Sequence, residues 1–133
     1  MRQTRSAGIL LLRVDDGAIL LARRSGEVHN PGWWSIPGGR LKPGETDFQG
    51  ACREFREEMG SLPRMMHVIV AAPTRVFGGV YTTIAAEYKE YETDCWEPQL
   101  NWENDDWGWF YTNDLPSPLH PGVVAFIKTW LEV

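Results

Sequence analysis

The chain has 133 residues, enough to bury a core without disulfides or metal staples. It is 43% hydrophobic and 23% charged, with net charge −5 and mean hydropathy −0.34. Those values exclude a disordered polyelectrolyte and argue against a nucleic-acid polymer as partner, because phosphate neutralisation favours a basic surface. The charge is uneven. The first 44 residues carry seven basic against three acidic residues, whereas residues 87–133 carry two against ten.

Two cysteines, Cys52 and Cys95, give no disulfide framework and no zinc spacing; both read as small buried hydrophobes. Ile9–Leu12, the longest apolar run near the start, is too short for a signal segment or a membrane span. A cytoplasmic protein without a membrane partner is the resulting expectation. With no repeat or low-complexity tract, residues 1–133 read as a single domain.

In chain order, Ile9–Val14 and Ala18–Arg23 flank Asp15-Asp16-Gly17 and predict a hairpin. Ser25–Gly32 reads as a loop, Trp34–Ile36 as a short extended piece, and Pro37-Gly38-Gly39 as a break. Thr46–Met59 has helical periodicity, with a capping box in Thr46 and Gln49 and a C-terminal Gly60. Met65–Ala72, Gly79–Glu87 and Trp107–Tyr111 predict strands. Pro121 to the C-terminus predicts an amphipathic helix burying Val124, Ile127 and Leu131. Strands before, between and after two helices imply an α/β fold, a mixed sheet covered by helices.

The helix at 47–59 carries the chemical information. Phe48, Ala51, Phe55 and Met59 form an apolar stripe with Cys52 beside it, while Glu54, Glu57 and Glu58 occupy another face. Like charges at i, i+3 and i+4 cost a helix roughly 0.2–0.5 kcal/mol per pair. The macrodipole adds roughly 0.3–1 kcal/mol for each anion in the last turns. Arg53 and Arg56 project to the other side of the wheel, so a cation should sit against the glutamates. Three carboxylates on one face suit Mg²⁺ or Mn²⁺, and a solvated acidic face is the plain alternative.

The flanking residues sharpen this choice. Gly39, five residues, Glu45, seven residues and Arg53-Glu54-Phe55-Arg56-Glu57-Glu58-Met59-Gly60 resemble the Nudix box, G-x5-E-x7-R-E-U-x-E-E-x-G-U. Every fixed identity is present, and only the final apolar position departs, as Ser61. Trp34-Ser35-Ile36-Pro37-Gly38-Gly39 also resembles the family's lead-in to that box. The resemblance implies an α/β/α sandwich with a loop-helix-loop metal site, hydrolysing a nucleoside diphosphate linked to another group.

Carried over by position, Glu54, Glu57, Glu58 and the Gly38 carbonyl would hold Mg²⁺ or Mn²⁺. Arg53 would orient the glutamates, and Glu45 would brace the loop or reach metal through water. The general base would be Glu54 or, from the acidic segment, Glu103, with Asp105 and Asp106 as further options. Arg23 or Arg24 at a strand end would contact phosphate, Arg23 being preferred, and Arg40 and Lys42 are also placed to do so.

Among seven tryptophans, Trp33 and either Trp102 or Trp107 are placed to stack on a base, whereas Trp130 should pack in the core. His29, His67 and His120 lack metal spacing and read as structural. The size and intact box favour a small-molecule nucleotide as partner, a nucleoside or deoxynucleoside triphosphate cleaved to monophosphate and pyrophosphate. Nucleotide sugars of the ADP-ribose or GDP-mannose type are the second choice, and a non-catalytic nucleotide-binding domain is the third. Many relatives form dimers, so a homodimer is an open expectation.

Overall fold

The computed structural model describes residues 4–64, 66–76, 78–90 and 95–131. Among these residues seven strands and two helices follow in the order β1 (Thr4–Arg13), β2 (Ile19–Arg24), β3 (Trp34–Ser35), β4 (Gly38–Arg40), α1 (Asp47–Met59), β5 (His67–Val76), β6 (Gly79–Tyr88), β7 (Asn104–Phe110) and α2 (Pro121–Trp130). The strands make one mixed sheet with helices on its two faces, the α/β class that the element order implies. No helix among the described residues is long and apolar enough to cross a membrane.

Alternation along the strands feeds the two sides. Ala7, Ile9, Leu11, Leu20 and Ala22 face α1, meeting Ala51, Phe55 and Met59. Leu10, Ile19 and Leu21 face α2, meeting Val123, Phe126 and Ile127. A strand pointing successive side chains to opposite faces produces this division directly.

The sheet forks in the middle. β1 runs parallel to β6 along one edge, while its other edge is shared by β4 opposite Ser6–Gly8 and β2 opposite Leu12. β3 meanwhile pairs with β2 at Ala22 and Arg23. The segment from Trp34 to Arg40 is thus wedged between the diverging β1 and β2, and the Pro37 carbonyl accepts from Ile9 N–H at 3.0 Å. That wedge brings the Gly38-Gly39 backbone beneath α1.

Several expectations need correction. Phe48 is 43% exposed and does not belong to the buried stripe. Leu41, from the preceding loop, packs over Gly50 at that end of the core, and Glu58 joins the buried face. In α2 the buried residues are Val123, Phe126 and Ile127, with Val124 and Leu131 only half-buried, because the His120 cap and Pro121 set that phase. Trp130 is half-exposed, stacked on Phe126 at the helix end and lining a surface cavity with Ala71–Thr74 of β5.

β7 begins at Asn104, inside the acidic segment, and β4 was hidden by its two glycines. Cys52 is buried, but Cys95 is exposed. Met65, the expected start of β5, and residues 132–133 lie outside the described residues.

Candidate active site

Helix α1 starts and stops where its sequence dictates. The Thr46 side chain accepts from Gln49 N–H at 3.1 Å, and the Gln49 side chain accepts from Thr46 N–H at 3.0 Å. At the other end Gly60, with φ 89°, donates to the Arg56 carbonyl. The left-handed backbone there favours glycine and ends the helix directly after the glutamates.

Glu58 faces the fork and is almost fully buried. Its Oε2 accepts from Gly38 N–H at 2.9 Å, and its Oε1 accepts from Asn104 Nδ2 at 2.9 Å. Burial pushes the Glu58 carboxyl up to about 8, and the negative charge of Glu103 reinforces the rise against those two donors. Burial likewise raises Glu54, against the hydrogen bond from Arg53. One carboxylate oxygen each from Glu54, Glu58 and Glu103 falls within a mutual span of 4.8 Å.

The backbone is shaped around these groups. A Cβ on Gly39 would sit 2.7 Å from the Glu54 carboxyl carbon. A Cβ on Gly38 would meet the Tyr81 hydroxyl at 2.5 Å and the Ala7 carbonyl at 2.6 Å. Burial raises the Tyr81 hydroxyl above the ordinary phenol range, and the charges of Glu58 and Glu54 add to that.

Arg53 overturns the wheel-based expectation that it points away from the glutamates. Its guanidinium grips Glu45 through Nε at 2.8 Å and Nη2 at 3.0 Å. Nη1 donates to Glu54 at 3.0 Å and Glu57 at 3.2 Å, and Nη2 also reaches the Arg40 carbonyl. A long side chain can curl over its own helix surface, which a wheel diagram does not represent. This grip holds Glu45 well below the usual carboxylate range, at about 2, with help from the Lys42 N–H.

The sequence candidates divide as follows. Glu54, Glu58 and Glu103 converge, while Glu57 stands at the exposed margin, tied to Arg53. Asp105 is the extra residue of a bulge in the β2–β7 pairing and accepts from Arg23 Nε at 2.8 Å, and Asp106 is exposed beside it. Arg23 also lies over Trp34. Arg24 donates from Nε to the His29 carbonyl at 2.5 Å.

Arg40 and Lys42 line a surface cavity of about 520 Å³ with Arg5. Trp33 sets its edge against His120, Trp107 packs half-buried against the α1-side core, and Trp102 is exposed. His120 is structural, its Nδ1 capping α2 through Gly122 N–H. Sequence reasoning missed Asn104 and Tyr81. A lone amide inside an acidic run was the one available signal for the first.

A hard divalent cation fits this donor set. It would offset the crowding of carboxylates that burial penalises, and the side-chain-free Gly38-Gly39 backbone lets oxygen donors approach closely. The NUDIX domain family model matches residues 2–130. The chain belongs to the Nudix family.

A relative from Mycobacterium tuberculosis, "Putative 8-oxo-dGTP diphosphatase 3", is 35% identical over 127 residues, covering 87% of this chain and 57% of that protein. The 8-oxo-dGTP diphosphatase of Escherichia coli is 24% identical over 99 residues, covering 74% of this chain and 67% of that protein. Among solved structures, the Nudix hydrolase RenU of M. smegmatis superposes with TM-score 0.78 at 26% identity, covering 96% of this chain and 83% of that one. The chain spans a little over half the length of the M. tuberculosis relative.

Proposed function

We propose that this Nudix chain, as a single domain, is a divalent-metal-dependent pyrophosphohydrolase that cleaves a (deoxy)nucleoside triphosphate to monophosphate and pyrophosphate. The observation carrying the reading is the convergence of Glu54, Glu58 and Glu103 beside the bare Gly38-Gly39 backbone. The M. tuberculosis and E. coli relatives, whose names specify a nucleoside triphosphate, support the substrate class.

Glu54 and Glu58 would hold Mg²⁺ or Mn²⁺, with Glu57 entering from the solvent side. When bound, the cation neutralises phosphate charge, polarises the attacked phosphorus and acidifies water. The remaining work falls to the chain. Gly38 N–H and Asn104 fix both oxygens of Glu58, and Arg53 fixes Glu54, Glu57 and Glu45 as one rigid set. Such positioning converts a flexible acidic helix face into a preorganised one.

Glu103 takes the proton of the attacking water as its oxygen bonds to phosphorus and the bridging P–O bond breaks. One contrast favours Glu103 over Glu54. Among the described residues the Glu103 carboxylate accepts a hydrogen bond from a neutral amide alone, Asn101 Nδ2 at 3.3 Å, whereas Glu54 is held in place by the Arg53 cation. The decisive experiment is an assay with Mg²⁺ or Mn²⁺ across nucleoside triphosphates and nucleotide sugars, with products identified by mass. Release of monophosphate and pyrophosphate supports the reading. Tight binding of a nucleotide without hydrolysis replaces it with a non-catalytic module.

A further inference from the structure

A cavity of about 500 Å³ is lined by Arg24, Gly26, Glu27, Val28, His29 and Trp102, the last of which is the chain neighbour of Glu103 in the carboxylate cluster. Trp102 immediately precedes Glu103, and Arg24 immediately precedes Ser25, which hydrogen-bonds both. The Ser25 hydroxyl donates to the Trp102 carbonyl at 2.6 Å, and Ser25 N–H donates to the Glu103 carbonyl at 2.9 Å. Glu103 N–H closes the turn on Asn101 Oδ1 at 3.0 Å. The main chain under Trp102 is therefore anchored from a buried serine.

On this anchored turn Trp102 is nevertheless 64% exposed. Among the described residues it joins no ring contact, whereas Trp109 is stacked on Tyr88. An exposed aromatic ring on an anchored turn beside a cavity can serve as a stacking platform, and stacking accepts any base because each has a π-face. Arg24, also lining the cavity, donates from Nε to the His29 carbonyl; among the described residues its terminal nitrogens make no hydrogen bond, although its charge is felt by Tyr81 and His120. Those nitrogens suit a phosphate oxygen.

We infer that this cavity receives the base of the nucleotide, stacked on Trp102, with Arg24 binding the phosphate that leads from it to the carboxylates. The inference rests on the nucleotide reading above.

The test is calorimetry with Mg²⁺ on wild type, Trp102→Ala and Trp102→Phe, using two probes: α,β-methylene dGTP and inorganic tripolyphosphate. Trp102→Ala should weaken the nucleotide analogue at least tenfold and leave tripolyphosphate within twofold, while Trp102→Phe stays near wild type. Unchanged melting temperatures are expected, since an exposed ring is removed. Equal nucleotide affinity in Trp102→Ala overturns the inference, as does an equal loss for both probes. A wild type that hydrolyses dGTP while Trp102→Ala behaves identically removes this inference alone. A wild type that neither binds nor hydrolyses any nucleotide removes the functional reading and this one with it.

Discussion

Asn104 and Glu58 lie 46 residues apart in sequence and meet in the interior, Nδ2 donating to Oε1 at 2.9 Å. Both are buried, one at the start of β7 and the other in the last turn of α1. The bond ties the sheet edge that carries Glu103 to the helix that carries Glu54 and Glu58. Asn104→Ala leaves a buried carboxylate oxygen without its donor, which costs about 1–3 kcal/mol. Urea denaturation of the metal-free protein should show that loss. Above about pH 8, where Glu58 is ionised, Asn104→Asp should destabilise further by placing a second anion against the first, and added Mg²⁺ should recover part of the difference.

Glu58 makes the metal-free fold sensitive to pH in an unusual direction for a carboxylate. Its folded value, about 8, lies above its ordinary value of 4.5, so between those limits the folded state holds the extra proton. Stability is therefore fully present below about pH 4.5 and is lost as pH rises toward 8. The slope reaches at most about 1.4 kcal/mol per pH unit. Thermal melts of the chelated protein at pH 5, 6, 7 and 8 should fall in that order. Glu58→Gln should flatten the trend and melt higher than wild type at pH 8, while abolishing turnover. A saturating divalent cation should flatten it too, by favouring the charged carboxylate.

These two effects show what was legible in the sequence. Helix α1 was readable to the residue because its cap signals are local: Thr46, Gln49 and Gly60 act within a few residues. The glutamates announced themselves by a repulsion that the helix alone could not explain. The wheel failed at Phe48, however, because burial depends on which part of the helix the sheet covers. It failed at Arg53 because a five-bond side chain does not stay on its own radius. The fork between β1 and β2, the partnership of Asn104 and the reach of Tyr81 to Gly38 all depend on strand pairings far apart in sequence. No local pattern encodes those pairings.

Gly39 and Gly38 should respond differently to the same substitution. At Gly39 a methyl group meets the end of a flexible side chain, the Glu54 carboxyl at 2.7 Å. Glu54 can swing aside at the cost of its hydrogen bond from Arg53, so Gly39→Ala should fold with about 1 kcal/mol of loss yet reduce turnover at least tenfold. At Gly38 the methyl meets backbone, Ala7 O at 2.6 Å and Gly8 Cα at 2.6 Å. Backbone in a paired strand cannot yield cheaply, so Gly38→Ala should lose about 1–3 kcal/mol of stability. Denaturation and steady-state kinetics on both variants separate the two outcomes.

Arg53 is the remaining test, because its role depends on shape as well as charge. Its planar fork binds both oxygens of Glu45 while a third nitrogen edge spans Glu54 and Glu57. A lysine keeps the positive charge but offers one compact ammonium, which cannot occupy those positions together. If charge alone mattered, Arg53→Lys would retain activity. If the fork aligns the carboxylates, Arg53→Lys should lose metal affinity and turnover by about 10–100-fold, close to the loss in Arg53→Ala. Mn²⁺ titration followed by calorimetry reads the affinity directly, and the circular dichroism spectrum should stay unchanged in both variants. Recovery of wild-type affinity in Arg53→Lys would show that the geometry of the guanidinium is dispensable.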